Sequence, residues 1–237
     1  MFCFPKKKEI FIIVPFREDV TKKRNYHLKR FIYHITGRVR GCKIIVIEQS
    51  NDKKKFNRGK LLNIGFEIAA GSLTDIFIFH DVDLLPDLEL ANSYQDYPKN
   101  PLHFARKWDR YSRNPEYFGG VVSFRFEDFY KINGYPNSFW GWGGEDDELM
   151  RRYKAGNVGP IPPNCPDNGY YFDLEKLNLE TKLLFLRKHP NLKNFKKWES
   201  AAEHNKTWKT DGLNNLDYRV LSKIYLGQNI CKITVAL

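Results

Sequence analysis

Three short, unbroken apolar runs constrain this chain more than any other feature. Glu9–Val14 (EIFIIV), Cys42–Ile47 (CKIIVI) and Ile76–Phe79 (IFIF) each have the length of a strand and show no polar alternation. A strand without a polar face is buried on both sides, as in a parallel sheet covered by helices. The segments between the runs read as those helices. Residues 22–36 place Leu28, Phe31, Ile32 and Ile35 on one stripe. Asn57 stands as an N-cap before a helix through Leu61, Leu62, Phe66 and Ile68. This alternation predicts an α/β sandwich, a Rossmann-like, mostly parallel sheet flanked by helices. At 237 residues, 42% of them hydrophobic, the chain can fill one core well and two only thinly, so residues 1–237 are expected to form a single domain.

In such a sheet, chemistry collects at the carboxyl ends of the strands. The first run closes in Pro15-Phe16-Arg17, and the third runs straight into Asp81-Val82-Asp83. Alternate residues of an extended chain point the same way, so both carboxylates face one side. Hard oxygen ligands at that place suit Mn²⁺ or Mg²⁺. By themselves these are weak signals: Asp-x-Asp has many chance matches, and Arg17 alone reads as a solvated loop residue. The helix begun by Asn57 carries Arg58 and Lys60 in its first turn, where the macrodipole disfavours cations. A phosphate seated there would account for them, and so would plain exposure. His80 reads as packing, and His27 and His34 as surface or packing residues.

The stretch Tyr117–Arg152 (YFGGVVSFRFEDFYKINGYPNSFWGWGGEDDELMRR) is the least ordinary. In Trp140-Gly141-Trp142-Gly143-Gly144, three glycines permit positive φ and close approach to a ligand. The two tryptophans offer flat apolar faces with an N–H donor each. Glu145, Asp146, Asp147 and Glu148 follow in the first turn of a helix carried on by Leu149, Met150 and Tyr153. There the macrodipole favours carboxylates, so a base is expected to stay ionised at neutral pH. An acidic first turn by itself commonly only caps. A stacking platform joined to ionised carboxylates suits sugar binding and deprotonation of a sugar hydroxyl.

The net charge of +11 is scattered, with short clusters at Lys6–Lys8 and Lys53–Lys55, and no nucleic-acid-binding motif accompanies it. The charge reads as solubility together with attraction for an anionic substrate such as a nucleotide sugar. Cys3, Cys42, Cys165 and Cys231 lack metal-type spacing and are expected to be free thiols in a reducing compartment. No apolar run has the roughly 18 residues of a membrane span, and MFCFPKKKEIF lacks a signal-peptide plan. A cytoplasmic location is therefore expected. The richness in Lys, Asn, Ile, Phe and Tyr suggests an A/T-rich viral or bacterial genome, and the host cytoplasm if viral.

NGYPNSFWGWGGEDDE, with YFGGV before it, resembles the β-1,4-galactosyltransferase family, and FIIVPFR, FNRGKLLNIGF, FHDVDLLP and TDGLNNLDYRV recur in the family's order. The resemblance covers residues 9–155 well and 210–236 moderately; 155–209 is a divergent segment holding acceptor contacts and a lid. It implies the GT-A glycosyltransferase fold and inverting, Mn²⁺-dependent transfer from a UDP-sugar to a glycan or glycoconjugate acceptor, with no nucleic acid involved and no membrane span. Asp146 would be the catalytic base. Pro15, Phe16, Arg17, Phe56, Arg58, Asp81, Lys107, Tyr117 and Trp142 would bind the donor, with Lys60 a weaker candidate. Gly144, Glu145, Asp146 and Asp147 would bind the acceptor, and Asp83 with His189 the metal; His204 is the other histidine candidate. A Tyr at position 117 marks a galactose donor, because the phenol fills the room of an N-acetyl group. The family's second arginine after Pro15-Phe16-Arg17 is replaced by Asp19, and neither His189 nor His204 has its usual partner ligand. Transfer of another UDP-sugar, a xylose acceptor (Glu148 at the end of the acidic run is tolerated in that branch) and an inactive glycan-binding protein remain alternatives. Trp198 falls near a position that touches the acceptor. Residues 211–220 and 231–237 are expected to close the core.

Overall fold

The computed structural model describes residues 8–114 and 116–237, so Cys3, Lys6 and Lys7 lie outside the described residues. Nine strands occur among them: β1 (Ile10–Phe16), β2 (Cys42–Gln49), β3 (Ile76–His80), β4 (Leu84–Pro86), β5 (Leu102–His103), β6 (Val121–Arg125), β7 (Tyr171–Asp173), β8 (Arg219–Gly227) and β9 (Ile230–Ala236). The main sheet has the order β5-β6-β3-β1-β2-β9-β8. Its centre, β3-β1-β2-β9, is parallel, and the flanking β6, β5 and β8 pair antiparallel. The helices are α1 (Arg24–Thr36), α2 (Arg58–Ala69), α3 (Leu88–Ser93), α4 (Phe126–Lys131), α5 (Glu145–Gly156), α6 (Leu179–Lys188), α7 (Lys197–Ala202) and α8 (His204–Thr207).

The apolar runs are buried on both faces because each face meets its own helix. Ile12, Val14 and Phe16 of β1 pack with Leu28, Phe31 and Ile35 of α1. Phe11 and Ile13 pack with Leu61, Leu62 and Phe66 of α2. Each such side chain taken fully from water contributes about 1.5–3 kcal/mol. At Gly65 a Cβ would overlap Ile13, so α2 presses onto the sheet only because that position is glycine. Asn57 caps α2 as expected, accepting from the Lys60 amide at 2.9 Å.

The pattern of Leu177, Leu179, Leu183, Leu184 and Leu186 predicts a helix over 174–189; it begins at Leu179, because Asn178 caps it by accepting from the Thr181 amide at 2.9 Å. Upstream, Tyr171–Asp173 form β7, antiparallel to β4, and the Leu174 amide donates to the Asp83 carbonyl at 2.8 Å. Strand β8 is exposed along its whole length at the sheet edge, and its apolar residues, Val220, Leu221, Ile224, Tyr225 and Leu226, therefore follow no in-and-out alternation.

The late TDGLNN segment is clipped to the NGYPNS turn by a polar lattice. Asp211 accepts from the Asn137 amide (3.0 Å) and the Ser138 hydroxyl (2.8 Å), and Asn137 Nδ2 donates to the Gly212 carbonyl (2.7 Å). Asn63 Nδ2 of α2 donates to the Tyr135 carbonyl at 2.7 Å. Beneath them Arg152 of α5 donates to the carbonyls of Asn133, Gly134 and Asp211 and pairs with Glu148 at 3.0 Å. This lattice fixes the angle at which α5 presents its acidic first turn.

Candidate active site

The carboxyl ends of β1 and β3, the start of α2 and the start of α5 converge. Arg58, the first residue of α2, is the link. Its Nε lies 2.7 Å from Asp81 Oδ1, its Nη1 2.8 Å from Asp146 Oδ1 and 3.9 Å from Glu145 Oε1. Its plane lies over the Tyr135 ring. The cation at the dipole-disfavoured helix start is thus held by three carboxylates, and neither phosphate nor open solvent is needed to account for it. Arg58 Nη2 and Glu145 Oε2 are buried without a hydrogen-bond partner.

Asp146 departs from the ionised base expected of a helix first turn. Burial raises its pKa well above the usual carboxylate range, and Glu145, Asp81 and Asp147 add to the rise against the opposing pull of Arg58. Burial likewise raises Glu145 and Asp81 despite Arg58. The macrodipole acts only at the helix end and is weaker than removal from water. The carboxylate fits at all because residue 119 is glycine: a Cβ there would overlap Asp146 Oδ2.

A second acidic group gathers one pleat away. Asp83, Asp173 at the end of β7, and Glu175 offer oxygens that all lie within 4.8 Å of one another. An all-oxygen, half-buried set of three carboxylates fits Mn²⁺ or Mg²⁺. Arg24 donates to Asp83 (3.0 Å) and Glu175 (2.7 Å), Arg110 to Asp173 (2.6 Å) and Glu175 (2.9 Å), and Lys182 to Glu175 (2.9 Å). Burial alone would raise Asp83, but Arg24, Lys182 and Arg110 outweigh it and hold that carboxyl down at about 2.

Asp173, Glu175, Arg24 and Arg110 were not anticipated. The signal was present in Asp173-Leu174-Glu175, a second pair of acids two apart following Tyr171-Phe172. His189 ends α6 with its ring against Phe185 and is not in the acidic group around Asp83. His204 Nδ1 lies 2.8 Å from Glu148 Oε1, engaged with α5. Glu148 is 1% exposed and serves that packing.

The remaining expected residues fall as follows. Pro15 and Phe16 complete β1, and Arg17 donates to the Lys54 carbonyl at 2.9 Å and lies over the Phe56 ring, so these residues share one corner. Asp19 accepts from Arg24 Nε at 3.0 Å. The position that lacks the expected arginine therefore anchors one arriving from α1. Tyr117 is stacked on Tyr111, with centroids 4.3 Å apart, and beside His103. Lys107 donates to the Asp167 carbonyl at 2.6 Å. Lys60 has its pKa lowered by partial burial. In the Trp-Gly loop, Gly141, Gly143 and Gly144 all have φ between 92° and 108°, as their glycine identity requires. The Trp142 amide donates to the Leu192 carbonyl (2.7 Å) and its carbonyl accepts from the Asn194 amide (3.1 Å), which ties residues 190–194 to the loop. Asp147 occupies the same first turn of α5. Trp198 is 68% exposed on α7.

A model of the N-terminal region of glycosyl transferase group 7 matches residues 2–95, and a model described as N-terminal domain of galactosyltransferase matches 99–176. β-1,4-Galactosyltransferase 4 of Cricetulus griseus is 34% identical over 221 residues, 91% of this chain and 60% of that protein. The chain belongs to the β-1,4-galactosyltransferase family. β-1,4-Galactosyltransferase 6 of Homo sapiens is 36% identical over 225 residues, 92% of this chain and 54% of the relative. The chain thus spans about half to three-fifths of the curated relatives it matches. Among solved structures, the catalytic domain of Drosophila β1,4-galactosyltransferase 7 with xylobiose superposes with a TM-score of 0.76 at 28% identity, covering 98% of this chain and 94% of that one. A mutant of the same enzyme, solved with manganese, UDP-Gal and xylobiose, also gives 0.76. The fold is therefore GT-A.

These relatives overturn the cytoplasmic location expected from the sequence, since the family they represent points to the Golgi lumen. Among the described residues no helix is long and apolar enough to cross a membrane. Cys42, Cys165 and Cys231 are free thiols, of which only Cys42 is buried.

Proposed function

We propose that this chain is a catalytic domain, acting as one unit over residues 1–237, that transfers galactose from UDP-galactose to a sugar hydroxyl with inversion at the anomeric carbon. The observation that carries the reading is the Arg58 bridge between Asp81 and Asp146, beside a cation-ready carboxylate group and beneath the Trp-Gly loop. Asp146 accepts the acceptor hydroxyl's proton; its raised pKa makes it a stronger base than an exposed aspartate. Arg58 holds Asp146 and Asp81 in register. Trp142 offers a face to the sugars, and Asp147 and Gly144 border the acceptor. Arg17 and Phe56 form the nucleotide corner, and Tyr117 limits the room at the donor's second carbon. Asp83, with Asp173 and Glu175, would hold Mn²⁺, whose chemistry is to neutralise the charge of the UDP leaving group. Inversion requires one displacement, so no enzymic nucleophile is needed.

The test is UDP release from a panel of UDP-sugars with Mn²⁺ and with N-acetylglucosamine, glucose and xylose as acceptors. UDP-galactose turnover lost in Asp146→Asn and Asp83→Ala, and lost on chelation, supports the reading. Glycan binding without turnover across the panel overturns it. A xylose acceptor is the favoured second reading, because the Drosophila structures with xylobiose match nearly the whole chain; the best acceptor in the panel decides it.

A further inference from the structure

Arg24 is the residue at which the cation-ready group is closed by the protein itself. Its guanidinium reaches three carboxylates from three separate segments: Asp19 after β1 (3.0 Å), Asp83 after β3 (3.0 Å) and Glu175 after β7 (2.7 Å). The three carboxylates of the group, Asp83, Asp173 and Glu175, are met by three cations, Arg24, Arg110 and Lys182. Asp19 shares Arg24, so four carboxylates meet three cations and the group carries one net negative charge as it stands. A divalent cation added with every one of these side chains in place would meet the guanidinium that already occupies Asp83, two cations against one carboxylate in a half-buried setting, which is costly.

One of the three must give way, and the contacts identify it. Arg110 is fixed: its side chain is 3% exposed, its Nε donates to the Leu177 carbonyl at 2.8 Å, and its plane covers the Trp108 ring at 4.4 Å. Lys182 spans both oxygens of Glu175 and its side chain is 8% exposed. Of the three, only Arg24 donates a hydrogen bond to Asp83, and its side chain is 20% exposed. Its Nε bond to Asp19 lies on the far side of the guanidinium from the Asp83 contact, so the head can leave Asp83 and stay tethered.

We propose that Arg24 holds the place of the divalent cation at Asp83 and is displaced from it when the cation binds. The proposal rests on Asp83 being a cation ligand, as in the reading above. The exchange replaces one positive charge by two. The group as a whole passes from one net negative charge to one net positive charge, with the released guanidinium still held at Asp19 near the Arg17 corner. An anionic nucleotide diphosphate is then drawn to the loaded protein and not to the empty one.

The test is titration of MnCl₂ into the full chain without nucleotide, by isothermal calorimetry and by the loss of the free-Mn²⁺ paramagnetic resonance signal. Arg24→Gln keeps a polar amide donor on a shorter stem and removes the charge. It should bind Mn²⁺ at least about tenfold more tightly than the unaltered chain. Arg24→Lys keeps the charge but cannot span Asp83 and Glu175 together, and should fall between the two. Arg24→Gln should also melt earlier without metal and recover more of its melting temperature on adding Mn²⁺ than the unaltered chain does. Equal or weaker Mn²⁺ binding by both variants, with Asp83→Asn abolishing binding, overturns the displacement of Arg24 and leaves Asp83 as a ligand. Binding unchanged in Asp83→Asn overturns the metal assignment on which the proposal rests.

Discussion

Nη1 of Arg58 lies 2.8 Å from Oδ1 of Asp146. The contact joins the first residue of α2 to the first turn of α5, 88 positions later in the chain. It partly offsets the burial that raises Asp146. The arrangement yields a carboxyl that is kept in a fixed orientation and is nonetheless a stronger base than an exposed aspartate.

Asp146→Asn should lower kcat by about 10²–10⁴-fold, the usual weight of a positioned general base. In the unaltered chain kcat/KM should rise with pH through the raised pKa of Asp146, because only the carboxylate accepts a proton. Stability should move the opposite way. A carboxyl raised in the folded state contributes its stability fully below its unfolded pKa, about 4, and loses it as pH rises through the folded value. The asparagine variant has no such loss. Its melting temperature relative to the unaltered chain should be higher at pH 8 than at pH 4, which differential scanning calorimetry reads directly.

Gly119→Ala tests how closely the base is seated. The φ of Gly119 lies outside the left-handed region, so alanine is permitted by the backbone, and the obstacle is the Asp146 carboxylate that its Cβ would overlap. The base must shift, and a misplacement on the order of 1 Å can cost about 10²-fold in kcat. Stopped-assay kinetics should show that loss. The double variant Gly119→Ala/Asp146→Ala should recover most of the melting temperature lost by Gly119→Ala while remaining inactive; no recovery would place the clash elsewhere, for example on the Tyr117 ring.

The sheet centre was legible because β1, β2 and β3 are apolar on both faces, a pattern that buried parallel strands alone require. The Asp81–Asp83 pair and the acidic first turn of α5 were legible for a similar local reason, since their placement follows from where a strand or helix starts or stops. What could not be read was partnership across long sequence separations. Arg24 meets Glu175 across 151 positions and Arg58 meets Asp146 across 88, and no local period encodes such pairs. The electrostatic error at Asp146 has the same origin: the macrodipole is a property of one helix, whereas desolvation depends on everything packed around it. Strand β8 has no buried face, so its apolar residues fall into no alternation that would mark a strand.

Arg152→Ala should be strongly destabilising without touching a reacting group. The Arg152 and Glu148 side chains are 1% and 2% exposed, and Arg152 also satisfies three backbone carbonyls. Removing one partner of a buried pair leaves the other charge uncompensated, typically a loss of about 3–5 kcal/mol. Urea unfolding followed by tryptophan fluorescence should show it as a lower midpoint. A loss under about 1 kcal/mol would mean that His204 and Arg151 alone suffice to hold Glu148.

Tyr117→Leu should change which donor is used and not merely how fast. The Tyr117 ring is sandwiched by Tyr111 and the edge of His103, and its hydroxyl would be 3.0 Å from a Cβ on Gly120. The phenol therefore has one place to be, and under the proposed reading that place bounds the space at the donor's second carbon. Truncation to leucine removes the hydroxyl and part of the ring while keeping an apolar surface for Tyr111. The space gained accepts an N-acetyl group, so turnover of UDP-N-acetylgalactosamine relative to UDP-galactose should rise by about tenfold or more, the scale of discrimination set by a few atoms in a pocket. The comparison is a ratio of kcat/KM values on one preparation, so general damage to the fold cancels. A ratio unchanged in Tyr117→Leu would place the donor sugar away from Tyr117 and move the search for the specificity residue to the Trp142 side of the cleft.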